Sequence, residues 1–220
     1  MNITSQQELE QQQDASECIE TMVREIPQLS FLLHQTLDQI TCTRCGYYKA
    51  KKSSQIPVTS IAIPGSKRNR DEEEKFSAKD AIRRHFQDHE DGIKNDCENC
   101  KYEFCSKEIN IENQPNYIII QLKRFSAIKE GNTMVLKKIF KESEPFSVVD
   151  INTSHGTKIY KVIATIEHTG HEIETGHYMS YVLKNDTWYC CDDERVEKLP
   201  KNYEKHIENA YILVLKKVIE

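Results

Sequence analysis

The sequence predicts an α+β fold: a mixed or antiparallel sheet, a ribbon-like extension held by cysteines and a few helices, in one domain of 220 residues. Three observations predict it. Tyr117–Phe125, Tyr160–Ile166 and Ala210–Leu215 are apolar, β-branched runs of strand length. Tyr178–Leu183 and Thr187–Cys191 flank Lys184-Asn185-Asp186, where Asn and Asp suit the left-handed conformation of a tight hairpin turn. Two C-x-x-C pairs, Cys42/Cys45 and Cys97/Cys100, bracket a strand-rich insert of 51 residues.

In chain order, Met1–Gln13 is Gln-rich and polar. Asp14-Ala15-Ser16-Glu17 fits a capping box, and Ala15, Cys18, Ile19, Met22, Val23 and Ile26 follow at helical spacing, with Cys18 read as a core filler. Pro27 ends that helix. Phe31–Ile40 reads as a strand into the first knuckle, and Tyr47–Ile63 as a strand pair. Pro64 to Lys75 is a charged, turn-rich loop. Its basic run Lys67-Arg68-Asn69-Arg70 is read as a solvated insertion, with a nuclear signal as the alternative. Ser77 opens a short helix to Phe86. His85 and His89, four apart, are read as solvent-facing, not as a metal pair. Four consecutive large apolar residues from Tyr117 to Ile120 suit a strand covered on both faces. Lys123 and Arg124 read as its charged exit, and Tyr160–Ile166 as a buried strand followed by a polar loop from Glu167 to Thr175.

Each C-x-x-C can place two thiolates at adjacent corners of a tetrahedron, so two knuckles make a closed four-thiolate zinc site of structural type at Cys42, Cys45, Cys97 and Cys100. Disulfides are the alternative for eight cysteines. With no secretory h-region at the start, a reducing, intracellular compartment, cytoplasmic or nuclear, is expected, where metal is favoured. A net charge of −5 argues against a general nucleic-acid binder, and no apolar run approaches the length of a membrane span.

The hairpin carries the candidate chemistry. With Asn185-Asp186 as a two-residue loop, Lys184 pairs with Thr187, and counting back puts His177 and Asp192 on one face as diagonal neighbours. An Asp accepting from one imidazole nitrogen fixes the tautomer of a general base. A three-residue loop would bring Asp193 there instead.

Gly176-His177-Tyr178, the strand after it, then Trp188 and Asp192-Asp193, with His168-Thr169-Gly170 as lead-in, resembles the His box of the ubiquitin-specific proteases, papain-like cysteine deubiquitinases. Gln12-Gln13-Asp14-Ala15-Ser16-Glu17 resembles that family's Q-Q-D-A-x-E-F box, with Cys18 in place of the aromatic. Leu122-Lys123-Arg124-Phe125 resembles its L-K-R-F signature, and Ala210-Tyr211-Ile212-Leu213 its terminal A-Y-x-L strand. The resemblance implies a partial helical thumb (11–35), zinc-ribbon fingers (36–110, with the charged loop at 64–75) and a palm sheet (111–220) that carries a catalytic His177 and Asp192. It also implies that Asp14 and Glu17 bind the basic tail of ubiquitin. Residues 1–40 carry seven acids against one base, Arg24, in keeping with that.

The family's nucleophile lies in a G-x-x-C box well upstream of Q-Q-D. Only 11 residues precede Gln12 here and none is Cys; Cys18, Cys105, Cys190 and Cys191 lack that context. Three functions are therefore expected in turn. The first is a truncated or partial copy of a thiol-dependent ubiquitin hydrolase, active on C-terminal amide or isopeptide bonds if completed by an upstream cysteine segment. The second is a catalytically inactive ubiquitin-binding relative. The third is an unrelated zinc-ribbon interaction domain.

Overall fold

The computed structural model describes residues 13–64, 75–87, 90–130, 133–170, 175–201 and 205–219. Helix α1 (Ala15–Glu25) begins at Asp14, whose Oδ1 accepts from the backbone N–H of Ser16 at 2.8 Å and of Glu17 at 3.2 Å. Two neighbouring apolar stripes run along it, and the sheet covers only one. Ala15, Ile19 and Val23 face inward, with Ser16. Cys18 lies on the other stripe with Met22 and Ile26 and is exposed, so it is not a core filler. Pro27 ends α1 and also opens a 3₁₀ helix (Pro27–Leu32), where its missing N–H leaves no bond unmade. The strand expected from Phe31 consequently starts later, as β1 (Gln35–Cys42).

The remaining elements are β2 (Tyr48–Lys52), β3 (Val58–Ala62), α2 (Ala78–Gln87), β4 (Glu90–Lys94), β5 (Phe104–Glu112), β6 (Tyr117–Lys123), β7 (Phe125–Glu130), β8 (Thr133–Lys138), β9 (Val148–Thr153), β10 (Gly156–Thr169), β11 (His177–Lys184), β12 (Thr187–Asp192), β13 (Arg195–Lys198), α3 (Lys205–Glu208) and β14 (Ala210–Lys217). Twelve strands form one mixed sheet. Its main path is β13-β12-β11-β10-β9-β5-β1-β2; β14 bridges β10 to β6, β3 lies beside β6, and β4 beside β5. β7 and β8 form a separate hairpin.

β6 shows why its sequence is apolar without alternation. Ile118, Ile120 and Leu122 pack with Ala78, Ala81, Ile82 and Phe86 of α2 on one face. Ile119 packs with Val58, Tyr211 and Ile212 on the other, beneath Ala15 and Ile19 of α1. Both faces are covered by helices, so no polar alternation is needed. Ser77 caps α2 through its Oγ, which accepts from Asp80 N–H at 3.1 Å.

Three local readings need correction. β2 and β3 both form but do not pair with each other. β2, exposed throughout, pairs with β1 in the ribbon, whereas β3 buries Val58 and Ile61 as a parallel neighbour of β6. The polar stretch from Glu167 continues β10 as far as Thr169, because Glu167, His168 and Thr169 pair with Met179, Tyr178 and His177. His85 is half-buried with its ring edge-on to Phe86 at 4.7 Å, and burial lowers its pKa; His89 and residues 65–74 lie outside the described residues.

Candidate active site and four-cysteine centre

Asn185 and Asp186 form the two-residue turn, with φ of 49° and 55°, and Lys184 pairs with Thr187. That register brings His177, the first residue of β11, against Asp192, the last of β12, and His177 Nε2 hydrogen-bonds Asp192 Oδ1. Asp193 sits in the following turn with φ of 50°; it is part of the same cluster but does not make the bond. The Asp192 hydrogen bond raises the His177 pKa; burial opposes this, while the charges of Asp192 and Asp193 add to it. With Nε2 donating to Asp192, Nδ1 carries the lone pair and is the nitrogen able to take a proton. Among the described residues no cysteine sulfur lies within hydrogen-bonding distance of His177.

Gly176 must be glycine. A Cβ there would fall 2.2 Å from the Thr169 carbonyl oxygen and 2.4 Å from His168 Nε2. His168 is buried, tilted against Tyr178 at 4.7 Å and edge-on to Phe125 at 5.7 Å. Tyr178, the neighbour of His177, packs beside the start of α1. Its pKa is pushed up to about 12, by burial first and the Asp14 charge next. Tyr211 donates to Asp14 Oδ2 at 2.5 Å and accepts from Gln121 Nε2 at 2.6 Å. Both Asp14 oxygens thus have partners within the chain, while Glu17 is exposed.

Arg124 is the residue that sequence reasoning undervalued. It is buried, not a charged strand exit, and its guanidinium donates to the carbonyls of Ala210 (2.7 Å), Lys141 (2.8 Å) and Glu208 (2.8 Å). Burial lowers its pKa to about 10. Lys123 is exposed. The only sequence signal for this difference was the L-K-R-F motif itself.

The four cysteines of the two knuckles meet with all sulfurs within 4.8 Å of one another; Cys42–Cys100 and Cys45–Cys97 are each 3.7 Å apart. Zinc–sulfur bonds of ~2.3 Å in a tetrahedron require sulfur separations of ~3.8 Å, so the cluster is compatible with one structural zinc. The knuckles are alike. Gly46 N–H donates to Cys42 O at 3.0 Å and Lys101 N–H to Cys97 O at 2.9 Å, and both residues have positive φ, 69° and 60°. The Cys45 N–H holds the Cys42 thiol down at about 6. At Cys100 the Tyr102 N–H acts in the same direction, but burial and the three other sulfurs push the thiol up to about 12. Four sulfurs this close cannot all ionise without a cation among them. Cys105 pairs with Cys42 across β1 and β5, but its thiol donates to the Asn95 carbonyl at 3.2 Å and stands outside the cluster.

A mixed sheet flanked by helices, with a hairpin near one edge presenting a histidine bonded to an aspartate, is the arrangement of a protein with general-base chemistry. The family model described as "Ubiquitin carboxyl-terminal hydrolase" matches residues 2–215, and the chain belongs to that family. It is 30% identical over 188 residues to "Ubiquitin carboxyl-terminal hydrolase 25" of Arabidopsis thaliana, covering 80% of this chain and 25% of that protein. It is 32% identical over 108 residues to "Ubiquitin carboxyl-terminal hydrolase 46" of Caenorhabditis elegans, covering 47% of this chain and 25% of that one. Among solved structures it resembles a chain of a Ubp8-containing SAGA DUB module bound to monoubiquitin (TM-score 0.76, 18% identity, 95% of this chain and 49% of that one). It likewise resembles one bound to ubiquitin aldehyde (TM-score 0.75, 19% identity, 95% and 50%). The chain therefore spans about a quarter of these curated relatives and about half of these solved chains. No helix among the described residues is long and apolar enough to cross a membrane.

Proposed function

We propose that this chain is the acid–base and ubiquitin-holding part of a thiol deubiquitinase, acting on the C-terminal amide or isopeptide bond of ubiquitin once a cysteine segment completes it. The observation that carries this reading is the His177–Asp192 hydrogen bond through Nε2, which leaves Nδ1 as the base. Nδ1 takes the thiol proton; the thiolate adds to the carbonyl carbon of ubiquitin's last glycine. The C–N bond then breaks as His177 returns the proton to the leaving amine. Water, deprotonated by the same nitrogen, hydrolyses the thioester. Asp192 orients the ring and stabilises the imidazolium. Exposed Glu17 faces the basic tail of ubiquitin, with Asp14 fixing the helix that carries it. Zinc on Cys42, Cys45, Cys97 and Cys100 braces the fingers, and a thiol enzyme with a thiolate site belongs in a reducing cytoplasm or nucleus.

A segment bearing the family's G-x-x-C box is fused ahead of the chain and hydrolysis of a ubiquitin–fluorophore amide is followed. The fusion turns over and the 220-residue chain does not. His177→Ala abolishes turnover. Asp192→Asn lowers kcat by up to about 10⁴-fold, the scale of losing the tautomer in a serine triad. Glu17→Gln raises KM with kcat little changed. Activity rises with pH as His177 deprotonates, and its raised pKa puts that limb above the ordinary histidine midpoint. A folded fusion that binds ubiquitin without turnover replaces this reading with the ubiquitin-binding one. Turnover by the unmodified chain, lost on substituting Cys18, Cys105, Cys190 or Cys191, assigns the nucleophile to that cysteine.

A further inference from the structure

β10 ends at Thr169 and β11 begins at His177, and the two strands are drawn together at Gly170, Thr175 and Gly176, so whatever fixes this neck fixes the base. The neck is tight. A Cβ on Gly170 would lie 2.9 Å from the Thr175 carbonyl oxygen and 3.0 Å from the Gly176 Cα. Thr169 Oγ1 donates to the His177 carbonyl at 3.1 Å. One cation sits at this neck. Lys138, the last residue of β8, donates from Nζ to the His168 carbonyl at 2.5 Å and to the Gly170 carbonyl at 2.8 Å. Its third proton faces His168 Nδ1 at 3.4 Å. An ammonium has three donors, and all three have acceptors here. With Nδ1 accepting, the proton of the neutral His168 ring is on Nε2. That edge lies against Gly176, where a Cβ would be only 2.4 Å away. His168 Nε2 has no hydrogen-bond partner, so the ring's orientation comes from Lys138 and from the rings of Tyr178 and Phe125.

We propose that Lys138 is a positioning residue for His177. It pins the β10 end of the neck through two carbonyls and holds the His168 ring as the floor on which Gly176 and His177 rest. Lys138 comes from the β7–β8 hairpin, outside the main sheet, and with Phe125, whose ring meets His168, it couples the hairpin to the catalytic edge. A carbonyl pair and an imidazole edge at this spacing suit a compact ammonium with three diverging donors.

The inference rests on His177 being the base ordered by Asp192, and its test requires no turnover. The His177 ring is titrated by NMR in the 220-residue chain, with exposed His155 as internal reference. Loss of the Lys138 positive charge by itself could only raise the His177 midpoint, so a fall on removing Lys138 reports position and not lost charge. Lys138→Met should lower the His177 midpoint by about half a unit or more, toward the ordinary ~6.5, with His155 unmoved. Lys138→Arg, which keeps charge and donors, should restore part of the shift. Asp192→Asn should lower it as well. A folded Lys138→Met protein with His177 unmoved, where Asp192→Asn does lower the midpoint, overturns the clamp alone. An unmoved midpoint in Asp192→Asn overturns the pair, and the clamp with it. Should Lys138→Met fail to fold, the unaltered chain decides. Lys138 ammonium protons should exchange slowly in ¹⁵N spectra, and exchange as fast as at exposed Lys101 overturns the proposal.

Discussion

His34 and His177 respond to pH in opposite senses. His34 is buried between the 3₁₀ helix and β1, with Nε2 at 2.7 Å from Thr59 Oγ1, and burial lowers its pKa to about 4. The folded form therefore holds His34 neutral where the unfolded chain, titrating near 6.5, takes a proton. Stability is complete above that value and is lost as pH falls from 6.5 toward 4, by on the order of 3 kcal/mol. Urea denaturation of the wild type against His34→Gln across this range should show the slope flattened in the variant. The His177 pKa is raised, so its contribution is present below 6.5 and fades as pH rises through the folded value. At this scale the sequence was most readable where chemistry depends on residue type and short spacing. His177, Asp192 and the four cysteines could be picked out that way. The packing roles of Arg124, Lys138 and His168 could not, because the carbonyls that Arg124 and Lys138 bind and the rings around His168 are brought close only by distant pairings. Cys18 was misplaced because two adjacent helical stripes are equally apolar in sequence and only tertiary packing chooses between them.

Arg124 acts on whole elements. It stands between β6 and β7, where the chain leaves the sheet for the separate hairpin, and holds carbonyls from Lys141, from Glu208 in α3 and from Ala210 at the start of β14. Its planar fork meets acceptors from three directions, which a point-charge ammonium does less well. Arg124→Met removes three charge-assisted hydrogen bonds and leaves the Glu208 carbonyl with only the Ser143 N–H as donor, at a cost of about 3 kcal/mol or more. Arg124→Lys should recover only part. The single tryptophan, Trp188, lies 4.1 Å from the ring of His206 in α3, so its fluorescence during urea unfolding reads this loss directly. Element types were mostly legible: β6, β14 and the β11–β12 hairpin follow from apolar runs and turn residues. Partners were not. β3 lies parallel to β6, Val58 beside Ile119, and nothing local distinguishes that arrangement from a hairpin with β2.

At the scale of the whole molecule, the twelve-stranded sheet has very unequal cores. The palm has two apolar layers, under α2 and under α1, including Phe86, Tyr160, Leu122, Leu213 and Ile212. Among the described residues, the apolar cluster of the ribbon tip has Cys42, Cys97 and Cys105 buried, with Ile40, Ile93, Cys100 and Tyr102 around them. A cluster that small offers little hydrophobic stabilisation, so the zinc proposed for the four thiolates would supply most of the tip's stability, on the order of 10 kcal/mol in isolated zinc sites. The two regions share backbone, since β5 runs from Cys105 in the tip to Ile111, which pairs with Thr153 of β9 in the palm. That junction is a single parallel pairing, and a local transition should stop there. Purified protein should hold about one zinc per chain, and Cys97→Ser with Cys100→Ser should abolish it. Chelation should remove amide-exchange protection from β2, β4 and the tip halves of β1 and β5. Trp188 fluorescence and the protection of β6 and β14 should persist, because their core contains none of the four cysteines. Zinc content unchanged in the double variant refutes the site. Palm and tip melting together would instead show that the continuous strands bind the two regions into one cooperative unit.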